Sequence, residues 1–418
     1  MTTVSALRAD APAAERPAHR DGNVLRWLAA YTSSMVGDSV YYIALSWTAV
    51  QAGTPAQAGL VMSVSALPRA VLMLGGGVIA DRFGPRRVVI GSDAVRCAAV
   101  LATAVLLLLT GPGLWPLAVL ALVFGTVDAV FMPAVGALPA RITARGQLAR
   151  VQGMRGLAIR FAHVVGAPLG GLGMALGGAA AAFGLAGLLI AVSVPLLVAV
   201  RIRELPADDT AEKSRSTAWH DMVAGLRHIR RHRVLGPLML AVALGNLGFI
   251  GPLNVGLTLL ADERGWGAAG MGWVLAGFGT GAGLASLLLT VRGRLPHAGQ
   301  VLAYTALAGS VAIGALAHVP NVVAAAGTAL LVGLLAGLSG ALCGALLQTQ
   351  TEPACLGRVS AVSALISLGF APLTMPLTAA AIGVWGTGPV FTGSAAISGL
   401  AGAVALAVPD LRRAELPE

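Results

Sequence analysis

Twelve mainly apolar stretches, parted by short polar turns, take up almost the whole chain: residues 26–50, 57–80, 88–110, 114–138, 151–176, 178–200, 234–261, 266–291, 299–319, 321–348, 359–382 and 386–408. Each reaches the ~20 residues that a helix needs to cross a bilayer. The pattern breaks once, over residues 201–233. That segment begins Arg201-Ile-Arg203-Glu and later sets Trp219, Met222, Val223, Leu226 and Ile229 at helical spacing against His220, Asp221, Arg227, Arg230 and Arg231. A basic helix with one apolar face suits a membrane surface and reads as an anchored linker. The predicted fold is therefore all-α and integral to the membrane, twelve transmembrane helices in two pseudo-symmetric six-helix bundles over 26–200 and 234–408. Residues 1–25 mix Arg, Asp, Glu and Pro without an apolar core and predict a disordered tail, and 409–418 a second short one.

Composition agrees with a lipid environment. Hydrophobic residues make up 56% of the 418 and charged residues 11%, against about a quarter charged in soluble domains. The formal charge of +10 raises the question of nucleic acid. Its distribution answers it: the basic residues fall in the tails and in every second loop, whereas the opposite loops hold Arg264. This is the positive-inside pattern, which predicts both termini in the cytoplasm and no nucleic-acid partner. Cys97, Cys343 and Cys355 form no CxxC pair, so neither a disulfide framework nor a zinc site is predicted. No GxxxxGK[ST], HExxH or GxSxG string occurs. The expectation is no ATP-driven pump, no enzyme, no cofactor and no metal.

Between the second and third stretches the chain reads Gly77-Val-Ile-Ala-Asp81-Arg82-Phe-Gly84-Pro-Arg86-Arg87. This resembles the loop between the second and third helices of the major facilitator superfamily. Together with Gly37-Asp38, Pro68-Arg69, Ser92-Asp93 with Arg96, and the Trp219 to Arg233 helix, it is similar to the bacterial macrolide and siderophore exporter branch of that superfamily. Gly166-Ala-Pro168-Leu-Gly170-Gly171 resembles the family's antiporter motif in the fifth helix, with Ala167 in place of Pro, and suggests a hinge. The resemblance implies a monomeric transporter of the bacterial inner membrane working by alternating access, with a small-molecule substrate and protons as partners. It implies that Asp81 docks at the start of the eleventh span to latch the halves in the outward-open state, while Arg82, Arg86 and Arg87 engage lipid phosphates or acids. Gly77 would permit close packing and Gly84 the turn. The departure in the fourth span, where many drug antiporters of the family carry Arg, is Asp128.

Charge within a span costs on the order of +2.5–3.5 kcal/mol and so faces a cavity or a partner. At 1.5 Å per residue, Asp38 and Asp128 lie roughly 18 Å from the cytoplasmic ends of their spans, with Arg69 and Arg160 also deep. Burial favours the protonated carboxyl and a nearby guanidinium the ionised one, so alternating access can load and unload such a group. Asp38 and Asp128 are the candidate proton carriers, with Arg69 or Arg160 as movable counter-charges; a permanent structural ion pair is the competing reading. Asp93 and Arg96, three apart, predict a local pair, and His163 a packed neutral imidazole. The second bundle offers neutral groups instead, Asn246, Asn254, Thr258 and Gln348, as cavity candidates. Pairs such as Gly277/Gly281, Gly333/Gly337 and Gly340/Gly344 read as helix-packing faces. The function expected is proton-coupled efflux of a hydrophobic or amphipathic small molecule. A proton-coupled importer has the same loop and halves, and a non-transporting receptor or scaffold is a third reading.

Overall fold

The computed structural model describes residues 17–202, 218–292, 297–352 and 355–415, and among them there is no β-strand. Four spans come first: α1 (Gly22–Ala52), α2 (Pro55–Phe83), α3 (Pro85–Thr110) and α4 (Leu114–Ile142). The fifth and sixth are the two arms of α5 (Leu148–Val198), which leaves helical geometry at Gly178, φ 67°, a value that glycine adopts without strain. A Cβ on Gly173 would stand 3.2 Å from the Ala182 Cα, so the arms fold back on each other. After the surface helix α6 (Ala218–Arg231), the seventh span joins α7 (Leu235–Gly251) through a π-turn, Pro252–Gly256, to α8 (Leu257–Glu263). Then follow α9 (Gly267–Arg292), α10 (Ala298–Leu316) and α11 (Val322–Gln350). The eleventh span is α12 (Leu356–Gly369) continued by α13 (Ala371–Trp385), the twelfth is α14 (Thr387–Ala407), and α15 (Pro409–Arg412) ends the chain's helices.

By length and composition nine of these elements, the spans of α5 counted together, suit a bilayer crossing among the described residues. With α5 holding two spans and α1 and α2 long enough at 31 and 29 residues, the spans number twelve. Large apolar side chains such as Leu109, Trp115 and Leu176 are left exposed around the outside, a surface made for lipid rather than water.

Two boundaries differ from the sequence expectation for physical reasons. The expected tail gives way to structure from Pro17: Asp21 accepts from Asn23 N at 2.8 Å and so caps α1, and the buried Ala18 donates its N–H to the Gln147 side chain. The expected loop over 81–87 shrinks to one residue. Gly84, at φ 83°, makes the turn, and Pro85 is pre-set for the first position of α3. The rest of the tail, the linker over 203–217 and the loop containing Gly293 and Arg294 lie outside the described residues.

The buried apolar residues fall into three clusters, and their placement defines the shape. The largest runs through both bundles, joining Tyr41, Phe124 and Phe183 of the first to Leu260, Met375 and Phe391 of the second. It occupies the end of the molecule away from the termini. Near the termini the core splits into two, one per bundle, around Trp27 and Phe131 and around Leu235 and Leu346. The halves are thus welded at one end and separate at the other. Helix α6 belongs to the second half: Ile229 is buried in its core, and Gly225 sits against the Arg358 carbonyl oxygen. The exposed Val223 and Leu226 remain for the membrane surface.

Within the second bundle α9 and α11 pack backbone to backbone. A Cβ on Gly281 would fall 1.9 Å from the Leu330 carbonyl oxygen, and one on Gly333 2.0 Å from that of Phe278. Gly281→Val is therefore expected to destabilise the detergent-purified protein by at least about 1–3 kcal/mol, read as a fall in thermal midpoint and in monodisperse yield. Gly283→Ala, two residues on with nothing within 4 Å of its Cβ, serves as the unchanged control.

Candidate coupling network and cargo cavity

Arg96 of α3 is 0% exposed, and Asp38, Asp93 and Asp128 gather around it. Its Nη1 donates to both oxygens of Asp38 on α1, at 3.0 and 2.8 Å. Its Nη2 donates to Asp93, one turn earlier on α3, and to Ser34 Oγ on α1 at 3.1 Å. Asp93 is held further by Ser34 Oγ at 3.1 Å and by the hydroxyl of Ser193 on the second arm of α5. Phe131 and Phe124 of α4 cover the guanidinium, with ring centroids 3.9 and 5.3 Å from its carbon. Fully enclosed by π-faces and carboxylates, Arg96 is the kind of desolvated fork that binds acids in fixed geometry.

The network does not end there. Asp128 Oδ1 of α4 approaches Arg96 Nη1 at 4.0 Å, and its Oδ2 pairs with Arg69 Nη1 of α2 at 3.2 Å. Arg69, with its side chain 28% exposed, lines a cavity of about 470 Å³ between the bundles. A continuous charged path therefore runs from the cavity through Arg69 and Asp128 to Arg96, Asp38 and Asp93. Three carboxylates face two guanidiniums, so the fully ionised network carries one net negative charge in a desolvated place.

The cavity wall is chemically divided. From the first bundle come Ser39, Tyr42, Ser65, Arg69, Arg160 and His163, and from the second Phe249, Leu253, Asn254, Met271, Phe278 and Met375. One side can donate hydrogen bonds and positive charge, the other offers apolar and aromatic surface. Above it the weld is made by close approach. A Cβ on Gly272 of α9 would stand 2.6 Å from the Ala167 carbonyl oxygen of α5, and one on Gly59 of α2 2.5 Å from the Ala379 Cβ of α13.

The sequence matches the family model described as Major Facilitator Superfamily over residues 27–366. The chain belongs to the major facilitator superfamily. It is also similar to the enterobactin exporter EntS of Shigella boydii serotype 18, at 28% identity over 311 residues, 73% of this chain and 71% of that protein. The Escherichia coli O139:H28 EntS matches equally, 28% over the same share. Among solved structures, the nucleoside transporter NupG superposes with a TM-score of 0.71 at 13% identity, covering 93% of this chain and 99% of that one. A POT family transporter in complex with 5-aminolevulinic acid gives 0.70 at 12%, covering 93% and 96%. These likenesses show the fold of a multi-pass, non-enzymatic membrane transporter of this superfamily.

Set on that fold, the residues singled out from sequence fall into several groups. Asp38, Asp128, Arg69, Asp93 and Arg96 meet in one network that contains the expected Asp93–Arg96 pair and adds one pairing the spacing did not suggest, Arg96 with Asp38. Arg96 serves Asp38 as well as its own neighbour Asp93, and Arg69 serves Asp128. Helical spacing revealed the i, i+3 pair and could not reveal a partner on another helix. Arg160 lies in the cavity wall and forms no ion pair among the described residues, and His163 opens onto the cavity instead of packing among helices. Asn254 lines the cavity while its Nδ2 donates to the Ile250 carbonyl at 2.8 Å. Thr258 is fully buried and donates to the Asn254 carbonyl at 3.3 Å, Gln348 is exposed outside both cavities, and Asn246 lines a second one, inside the second bundle. Ser34, Ser193, Phe124 and Phe131 carried no signal in sequence, because small hydroxyls and rings are ordinary in any span.

Pro168 of the fifth-span motif sits inside α5, whose departure from helical φ/ψ comes later, at Gly178. Gly166 and Gly170 press on Ser39 and Ile43 of α1, and Gly171 on Ala268 of α9. At the start of α3, Arg86 donates to the Leu197 and Val198 carbonyls at the end of α5, where its charge complements that helix terminus. Arg82 and Arg87 are exposed, and the side chain of Asp81 and the surroundings of Gly77 lie outside the described residues.

Removing Arg96 strands buried carboxylates. Arg96→Gln is expected to cost on the order of 3–5 kcal/mol, seen as a large drop in thermal midpoint. Arg160→Gln, at a cavity wall, leaves the midpoint within about 0.5 kcal/mol of the parent.

Proposed function

We propose that this protein is a proton-coupled exporter of hydrophobic or amphipathic small molecules, working in the bacterial inner membrane with both termini cytoplasmic. The observation that carries the reading is the buried network with an excess of one carboxylate and a polar route, through Arg69, to the cargo cavity. A proton neutralises it, and the two acids next to that route, Asp38 and Asp128, are the carriers. Asp93 is 1% exposed and already satisfied by Arg96, Ser34 and Ser193, and so acts as a fixed charge.

Coupling follows from the position of Arg69. While Asp128 is ionised it holds Arg69 against the wall, and the cavity keeps its apolar face for cargo. A proton on Asp128 releases the guanidinium toward the cavity, where it competes with an apolar or cationic occupant. Proton and cargo thereby exclude one another, the requirement for exchange. Similarity to exporters described as carrying enterobactin supports the outward direction. The split core near the termini corresponds, with cytoplasmic termini, to a state open to the cytoplasm. In the opposite state Asp81 would latch the halves at the N-terminus of α12, which has no side-chain cap here.

In proteoliposomes with an imposed pH gradient, screened across antibiotics and siderophores, Asp38→Asn and Asp128→Asn are each expected to lower gradient-driven flux by about tenfold or more, equal to ~1.4 kcal/mol. Cargo exchange without a gradient should persist in both. Gradient-driven flux untouched by either substitution would end the coupling assignment.

A further inference from the structure

The second bundle encloses a cavity of its own, about 360 Å³, bounded by α7, α10, α11, α12 and α14. We propose that it is a second lobe of the cargo site, taking an uncharged apolar portion of the cargo that bears hydroxyl or amide groups; this rests on the transport reading above. The volume lies within the range of small-molecule sites. No ionisable acid or base lines it apart from the Cys343 thiol, and its polar groups are neutral: Asn246, the Thr305–Ser339 hydroxyl pair at 2.8 Å, and Ser363, Ser367 and Ser398. Ser398 is 7% exposed and its hydroxyl makes no hydrogen bond among the described residues, which leaves it for an occupant. Phe249 and Ser367 line both this cavity and the central one, so the two share a wall.

The glycines of α11 show that the hollow is built in. Gly333 and Gly337, on its first half, press on Phe278 and Ala285 of α9. Gly340 and Gly344, one and two turns on, line the cavity, and a Cβ on either would meet nothing within 4 Å. The same small-residue spacing that packs helices at one level therefore opens space at the next. The location is equally telling. Among the bounding helices are the first, third, fourth and sixth spans of this bundle, the positions that in the first bundle carry Asp38, Arg96, Asp128 and Ser193. Where one half is filled with charge, the other is left hollow and lined with hydroxyls.

Cys343 faces the cavity and supplies a reporter. With Cys97→Ala and Cys355→Ser in place, reconstituted protein is treated with N-ethylmaleimide at neutral pH, and labelling is followed by mass spectrometry with 1-naphthol or 1-naphthalenesulfonate as protectant. Uncharged naphthol is expected to slow labelling about fivefold at concentrations a few times its dissociation constant, and the anion not to. Gly340→Leu and Gly344→Leu, each of which extends a side chain into the space from a Cβ that meets nothing within 4 Å, should slow labelling and remove the naphthol effect while keeping the thermal midpoint. In the flux assay they should halt the bulkier transported compounds and spare smaller ones. Absence of protection, equal protection by the sulfonate, or protection unchanged by both leucines would overturn the proposal, a water-filled void being the outcome then shown. Export that both leucines leave intact but Asp38→Asn stops would remove the lobe and keep the transport reading. Naphthol protection without any gradient-driven flux would do the reverse.

Discussion

Enclosing Arg96 is the constraint on which the first bundle is built. A guanidinium without water is tolerable only with carboxylates at hydrogen-bond distance, and those carboxylates are tolerable only while it is present. Asp38, Asp93 and Asp128 come from three helices, so the charge requirement ties α1, α3 and α4 into one unit, with Ser193 adding the second arm of α5. The fully buried Phe124 and Phe131 keep water from relaxing the cost. A network with equal numbers of acids and bases would be a static clamp. The extra carboxylate leaves it with one negative charge in excess, and the Asp128–Arg69 pair links it to the cavity wall.

The second bundle solves the same packing problem without ions. Its α9 and α11 meet through glycine and carbonyl contacts, and Thr305 and Ser339 bond each other near the level where the first bundle has its charges. Hydroxyls on a helix can also bond backward to their own backbone, as Thr280, Thr305 and Thr328 do, so they cost little when no partner is present. A neutral lining can thus stand open in a way that a charged one cannot. Two bundles with one layout thus differ in their interiors, one tied by ion pairs and the other hollow and lined with neutral hydroxyls.

The spans and their grouping were legible because lipid imposes a long apolar pattern on each helix, and the family was legible from Gly77 to Arg87 because a charged turn between such helices is unusual. Which residues would be charged in the interior was also legible, since nearly every other span position is apolar. Their pairing between helices was not. Asp38 and Arg96 are 58 positions apart, and nothing in the spacing of one helix reports what a different helix turns toward it. Gly333, Gly337, Gly340 and Gly344 make the same point: they look alike in sequence, yet two press on a neighbour and two open onto space. Only their position along α11 relative to α9 distinguishes them.

The weld between the halves is made in a way that suits its being broken. At α5 and α9 the contact is Ala167, Pro168 and Gly171 against Ala268 and Gly272, and at α2 and α13 it is Gly59 against Met375, Pro376 and Ala379. Backbones approach closely there with little side chain between them. Parting such surfaces exposes less apolar area than parting interdigitated leucines would, at about 25 cal/mol per Å² when the space fills with water. The large side chains of the shared core, Tyr41, Phe124 and Phe183, stack within the first bundle and not across the seam, with the Tyr41 and Phe124 rings 3.8 Å apart. The ring contacts of the shared core therefore stay within one half or the other, as the Phe249–Phe278 pair does in the second.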